Sequence, residues 1–308
     1  MMAINEDKIT ALNINRLKGR MLHLPQKPRT KKKKREILLL YGHHASLERM
    51  FGIADNLNRY GAVTIPDLPG FGGMESFYKI GLKPTIDNYA DYLAAFIKLR
   101  YKRKRFTLVS MSFSFLVVTR MLQKYPDLAK KIDLLVSSVG FVHHEDFHLP
   151  RYQQKGLLAM GRVFQFAPTA FLFRYTILQG LVIKGFYMLI GASHSKMKDT
   201  KDRQIRNERI KAEIKLWHIN DVRTRMKTMA DAFKVDLCKG NNIDLPVYHV
   251  FVSGDRYFNN DVVEQHMRII YKDFIGIETS IKGHMPSIVA TAKEADPFVP
   301  AKLKKLLK

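Results

Sequence analysis

From Ile37 onward, short apolar runs alternate with longer segments in which apolar residues recur every three or four positions. Runs of the first kind predict buried strands, and segments of the second kind predict helices with one face turned to a core. Ile37 to Tyr41, Ala62 to Pro66, Phe106 to Met111, Ile132 to Ser138, Val247 to Ser253 and Ile275 to Ile281 form the strand set. Helices are expected over Leu47 to Tyr60, stopped by Gly61, over Ile86 to Arg100, over Phe113 to Lys124, closed by Pro126, and over Asp261 to Tyr271. Such alternation predicts an α/β fold, a mostly parallel central sheet with helices on both faces. Ahead of it, Met1 to Pro25 is expected to form an antiparallel hairpin turning at Lys18-Gly19.

Between Glu145 and Asp231 the alternation stops. That segment is helix-like, aromatic and methionine-containing, and strongly basic from Lys196 to Lys227. It predicts a helical cap (lid) insertion, residues 145–231, in a core made of residues 1–144 and 232–308. Its most apolar part, Gly156 to Ala192, is interrupted by Arg162, Arg174 and Lys184, leaving no uncharged run of the roughly 18 residues needed to span a bilayer.

Charge changes the picture more than composition does. In 308 residues, 46% of them hydrophobic, 52 Lys and Arg stand against 28 Asp and Glu, a formal charge of +24. A surplus of this size attracts something anionic without specifying the fold. The runs Lys27 to Arg35 and Lys302 to Lys308 read as solvated surface. Charge alone does not choose among nucleic acid, anionic lipid and an acidic cytosol; with no RNA- or DNA-binding motif beside it, nucleic acid is not expected, and peripheral contact with an anionic membrane stays open. A single cysteine, Cys238, excludes an internal disulfide framework and fits a reducing compartment. Met1 to Met21 holds no continuous apolar stretch of the signal-peptide kind, so a cytoplasmic location is expected, at most peripheral to the inner membrane face. Oligomeric state is not legible.

Acyl transfer by serine needs an exposed hydroxyl, an imidazole, an acid to orient that imidazole, and backbone donors for the oxyanion. At Ser110 to Ser114 (SMSFS), between a predicted strand and a predicted helix, Ser112 occupies the nucleophile position of a G-x-S-x-G elbow whose glycines are replaced by Ser110 and Ser114. Tyr41-Gly42-His43-His44 follows the first buried strand and Asp67-Leu68-Pro69-Gly70-Phe71-Gly72 the second, while Gly283-His284-Met285-Pro286 follows the last. In that order these motifs resemble the α/β-hydrolase superfamily, over roughly Ile37 to Phe147 and Val222 to Leu307. The resemblance implies that Ser112 attacks, that the backbone N–H groups of His43 and Phe113 form the oxyanion hole, and that His284 relays the proton. Asp255, in Ser253-Gly254-Asp255-Arg256-Tyr257, stands near the family's acid position; Asp261 on the same side, and Glu145 or Asp146 after the preceding strand, are the alternatives. Tyr41 stands where the family usually has a histidine, a departure read as structural.

The cluster His143, His144, Glu145, Asp146 and His148 has metal-ligating side chains, but it begins a loop and is read as pocket lining. No metal and no other cofactor is expected. Gly70 to Gly73 lacks the following helix and the Lys-Ser pair of a phosphate cradle. The expected function is hydrolysis of a carboxylic ester or related acyl bond, in a small molecule or lipid of largely apolar character, with Phe164, Phe166, Phe171, Phe173, Tyr175, Leu178, Leu181, Phe186, Tyr187 and Met188 lining an apolar pocket. The alternative is a non-catalytic binding or scaffold protein of the same fold held at an anionic surface, a membrane or nucleic acid.

Overall fold

Strands buried along most of their length need cover on both faces, and the parallel strands of this chain obtain it from crossover helices. The computed structural model describes residues 8–27, 35–190, 203–279 and 291–308. Among these residues eight strands form one sheet: β1 (Ile9–Ile14), β2 (Leu17–Leu24), β3 (Glu36–Leu40), β4 (Ala62–Pro66), β5 (Phe106–Met111), β6 (Ile132–Ser138), β7 (Val247–Val252) and β8 (Phe274–Thr279). Their spatial order is β1-β2-β4-β3-β5-β6-β7-β8. β1 pairs antiparallel with β2, and β2 with β4; every other neighbouring pair is parallel.

The crossovers are α1 (Phe51–Leu57), α2 (Ile86–Arg100) and α3 (Phe113–Lys124), with α9 (Asn260–Ile270) joining β7 to β8 and α10 (Ala292–Ala295) and α11 (Ala301–Leu307) closing the chain. α2 starts where the Thr85 side chain accepts the Asn88 N–H, and α9 where the Asn259 side chain accepts from Asp261 and Val262. One contiguous core runs across both faces of the sheet, from Leu12 on β1 to Leu307 on α11.

Two local expectations are corrected. The hairpin turns at Asn15-Arg16, with φ of 49° and 66°, and Lys18 and Gly19 lie inside β2. Two consecutive residues at positive φ make the tight two-residue turn that matches strand twist, and Asn tolerates that conformation. Gly19 answers a different need, since a Cβ there would lie 2.6 Å from Met74 Cγ. The helix expected over Leu47 to Tyr60 is a 3₁₀ turn, Leu47–Met50, followed by α1, which ends at Leu57.

Between β6 and β7 stand α4 (Arg151–Phe164), α5 (Ala167–Thr176), α6 (Gly180–Ile190), α7 (Arg203–Ile219) and α8 (Val222–Ala232). They carry a second, smaller apolar cluster of their own, centred on Ile183, Tyr187, Ile210, Val222 and Met226. Among the described residues no single helix is long and apolar enough to cross a membrane.

Candidate active site

Parallel strands deliver their following loops to one edge, and in open α/β sheets that edge is where ligands bind. β3 neighbours β5, and β6 separates β5 from β7. The loops carrying His43, Ser112 and Asp255 therefore leave the same edge.

Ser112 links the end of β5 to the first residue of α3 with φ 50° and ψ −120°. A non-glycine residue there is strained by about 1–3 kcal/mol, and such strain persists only where surrounding contacts over-determine it. Two contacts do so. The Ser112 N–H donates to Ser138 O at 3.0 Å, tying the bend to β6. Ser114 Oγ accepts the Met111 N–H at 3.0 Å and lies 3.2 Å from Leu40 O, so the serine replacing the second elbow glycine clamps the ends of β5 and β3. Ser110 is fully buried, and its Oγ has no hydrogen-bond partner among the described residues. Ser112 itself is 9% exposed.

The backbone N–H of Phe113 is the first of α3, where no intrahelical acceptor exists. Neither it nor the His43 N–H donates to another group among the described residues. The His43 ring packs edge-on against Phe113 at 5.5 Å and Phe71 at 5.4 Å. Its Nε2 lies 2.8 Å from Thr228 Oγ1 and 3.2 Å from Arg225 O; a carbonyl only accepts, so Nε2 carries the proton. Burial, with the Arg225 charge adding to it, pulls this imidazole down to about 3 and keeps it neutral. Its side chain thus anchors α8 over the sheet edge and is no proton carrier.

Asp255 is the third residue beyond β7, after Gly254 at φ 68°, and is 9% exposed. Its Oδ1 accepts the Tyr257 N–H at 2.8 Å and the Phe258 N–H at 3.4 Å. Asp261 sits exposed in the first turn of α9, suited to that helix's positive end. Asp146 is fully buried but committed elsewhere: Oδ1 is 2.6 Å from His266 Nδ1, and Oδ2 accepts the N–H groups of Val142 and His143. Glu145 is exposed. His284, Gly283, Met285 and Pro286 lie outside the described residues.

Tyr41 bolts two motif loops together. Its hydroxyl donates to Asp67 Oδ1 at 3.0 Å and accepts the Leu68 N–H at 2.7 Å. Burial pushes the Asp67 carboxyl up to about 7, against the pull of Arg20, whose Nε lies 3.1 Å from Oδ2. Gly72, at φ 64°, has no room for a side chain, since a Cβ would lie 1.9 Å from Asp67 Oδ1.

Above the same edge, α7 and α8 bring in charges that sequence reading missed. Glu213 is fully buried and Arg49 nearly so, while the Arg225 guanidinium stacks on Trp217 at 3.7 Å and is pulled down to about 10 by burial. Asn220 joins His44 Nδ1 at 3.1 Å and accepts the Gly72 N–H at 2.8 Å. The two Asn220 contacts join segments 148 or more residues apart, so no local pattern announces them. Phe166, Phe171, Tyr175, Leu181, Phe186 and Met188, expected to line a pocket, are instead exposed, because α5 and α6 turn other faces to the buried cluster.

The histidine cluster finds its partners on α9. His143, Glu145 and His266 each offer one ligand atom, all within 4.8 Å of one another. The Asp146 carboxylate fixes the His266 proton on Nδ1 and leaves Nε2 able to ligate. His143 Nδ1, however, already accepts the Glu145 N–H at 3.2 Å. Among the described residues, none of these side chains bonds to a residue around Ser112. Cys238 is half-buried, and burial pushes its thiol up to about 11, far from a reactive thiolate.

No protein-family model matches the chain, and no curated protein matches it in sequence. Solved structures do. An enol-lactonase from Burkholderia xenovorans LB400 shares 12% identity with a TM-score of 0.64, over 97% of this chain and all of that one. A hydrolase from Oleispira antarctica shares 15% identity with a TM-score of 0.61, over 92% and 94% of the two chains. A membrane phospholipase A, described as a bacterial virulence factor, shares 14% identity with a TM-score of 0.62, over 94% and 85%. With this strand order, a sharp bend at Ser112 and likenesses of that kind along nearly its whole length, the chain has the α/β-hydrolase fold.

Proposed function

We propose that this protein is a serine hydrolase that cleaves a carboxylic ester or related acyl bond of a largely apolar small molecule or lipid. The observation carrying the reading is the backbone of Ser112, a positive-φ serine at a strand-to-helix bend on the ligand-binding edge. Support also comes from the names of the structural neighbours, which include a lactonase and a phospholipase. Helices α4–α8 act in this reading as the cap.

The Ser112 hydroxyl attacks the substrate carbonyl while His284 takes its proton. The tetrahedral oxyanion accepts from the N–H groups of Phe113 and His43, donors typically worth about 2.7–4 kcal/mol each in the transition state. Collapse breaks the bond to the alcohol, which leaves with the proton from His284. Water, activated by the same imidazole, then releases the acid from the acyl-serine. Asp255 holds the imidazole in the required tautomer and stabilises the imidazolium.

A fluorophosphonate probe followed by peptide mapping tests this directly. Label on Ser112 that disappears in His284→Ala is expected. Folded protein that takes no label would favour a non-catalytic scaffold at an anionic surface.

A further inference from the structure

We propose that α4–α6 form a docking surface for a lipid bilayer bearing anionic headgroups. A helix that is apolar on all sides needs cover on all sides. α6 has Lys184 as its single charged residue. One side is covered: Ile183 and Tyr187 are buried against Ile210, Val222 and Met226. The other is not, for Leu181 is 85% exposed, with Val182, Phe186 and Met188 open beside it. Phe171 and Tyr175 on α5, in tilted ring contact at 4.4 Å, continue the surface. Apart from Leu82, Leu99 and Ile269, every large hydrophobic exposed among the described residues lies on this run of helices and their links. Concentration on one region marks an interaction site, whereas scattered exposure does not.

Charge selects the occupant. From Phe147 to Ile190 there is no Asp or Glu, while Arg151, Lys155, Arg162 and Lys184 are exposed within the same stretch. An apolar face accompanied by cations alone fits the boundary between acyl chains and anionic headgroups. A second copy of this chain fits poorly, because a two-fold contact would bring the same cations together without a carboxylate between them. α4 and α5 are bent by 106° to each other, an arrangement suited to helices lying along an interface. α8, bonded to His43 through Thr228, holds the insertion over the edge that carries Ser112, so docking brings that edge to the lipid. The docking surface stands whether or not Ser112 turns over substrate.

The test is co-flotation of the full chain with phosphatidylcholine vesicles, with and without phosphatidylglycerol, alongside size-exclusion chromatography without lipid. Binding to the anionic vesicles is expected, weakening by about tenfold or more between about 0.1 M and about 1 M salt. The pair Leu181→Asp and Phe186→Asp, at exposed positions, is expected to lower binding by about tenfold, as is Arg162→Glu with Lys184→Glu. Leu99→Asp, an exposed apolar residue on α2, serves as the control and is expected to change nothing. Undiminished binding by the Leu181→Asp, Phe186→Asp protein would overturn the proposal, reducing any attraction to the basic segments elsewhere. So would failure of the wild type to float, or a lipid-free dimer that Leu181→Asp dissociates.

Discussion

At the scale of single residues, the site sets apart groups that must titrate from groups that must not. His43 and His249 are both held down to about 3 by burial, so neither takes up a proton at neutral pH. His249, on β7, bonds through Nδ1 to Ser137 Oγ at 2.9 Å across the sheet and is 2% exposed. A buried neutral histidine stabilises the fold fully above its unfolded value near 6.5, and the contribution is lost as pH falls from there toward 3. His249→Asn retains a polar partner for Ser137 without the titration. Comparing urea unfolding of this variant with wild type is expected to show stability differing in pH slope by about 1.4 kcal/mol per pH unit across that window, wild type being steeper. Asp67, which shifts the opposite way, is common to both proteins and cancels. The acid is separable in the same manner: on a short activated ester, Asp255→Asn is expected to lower kcat/KM by about 10³–10⁴, and Asp261→Asn by less than about threefold. Equal rates in wild type and Asp255→Asn would reject the assignment.

Elements are where the sequence was most readable, and the reasons are local. β4, α2, β5, α3 and β6 begin and end where apolar periodicity, Gly61 and Pro126 place them, because those signals reside within the elements themselves. The hairpin turn was misplaced because Lys18-Gly19 has turn composition, whereas the need for Gly19 comes from Met74, more than fifty residues away. The same non-locality hides Glu213 beside Arg49, and His266 beside Asp146, until the fold brings them together. Ser114 is an intermediate case: its position two residues after Ser112 is legible, but its clamp on β3 is not. The observed turn makes its own prediction. Arg16 sits at φ 66°, which costs an L-residue roughly 1 kcal/mol and glycine nothing, so Arg16→Gly is expected to raise the thermal midpoint or leave it level, in contrast to most glycine substitutions in strands. A lowered midpoint would show that the Arg16 side chain contributes more than its backbone costs.

On the scale of the whole molecule, two surfaces are set at one end. The carboxyl edge of the parallel strands collects Ser112, Asp255 and the His43 loop, and α7 and α8 are fastened above it by Thr228, Asn220 and the buried charges around Glu213. Outside these lie α4–α6, apolar and basic and without carboxylates. The net charge of +24, which alone distinguished no partner, has a local expression in this basic, apolar surface, and the proposed docking gives it an anionic plane as counterpart. An apolar acyl substrate and a bilayer surface belong to the same chemistry, although each stands on separate observations. The central claim is that Ser112 forms a covalent acyl intermediate. Acid-quenching the enzyme milliseconds after mixing with a p-nitrophenyl ester, then weighing and mapping it, is predicted to reveal an acyl adduct on the peptide containing Ser112, absent in Ser112→Ala. Turnover of that ester at the wild-type rate by Ser112→Ala, with no adduct in wild type, would contradict it.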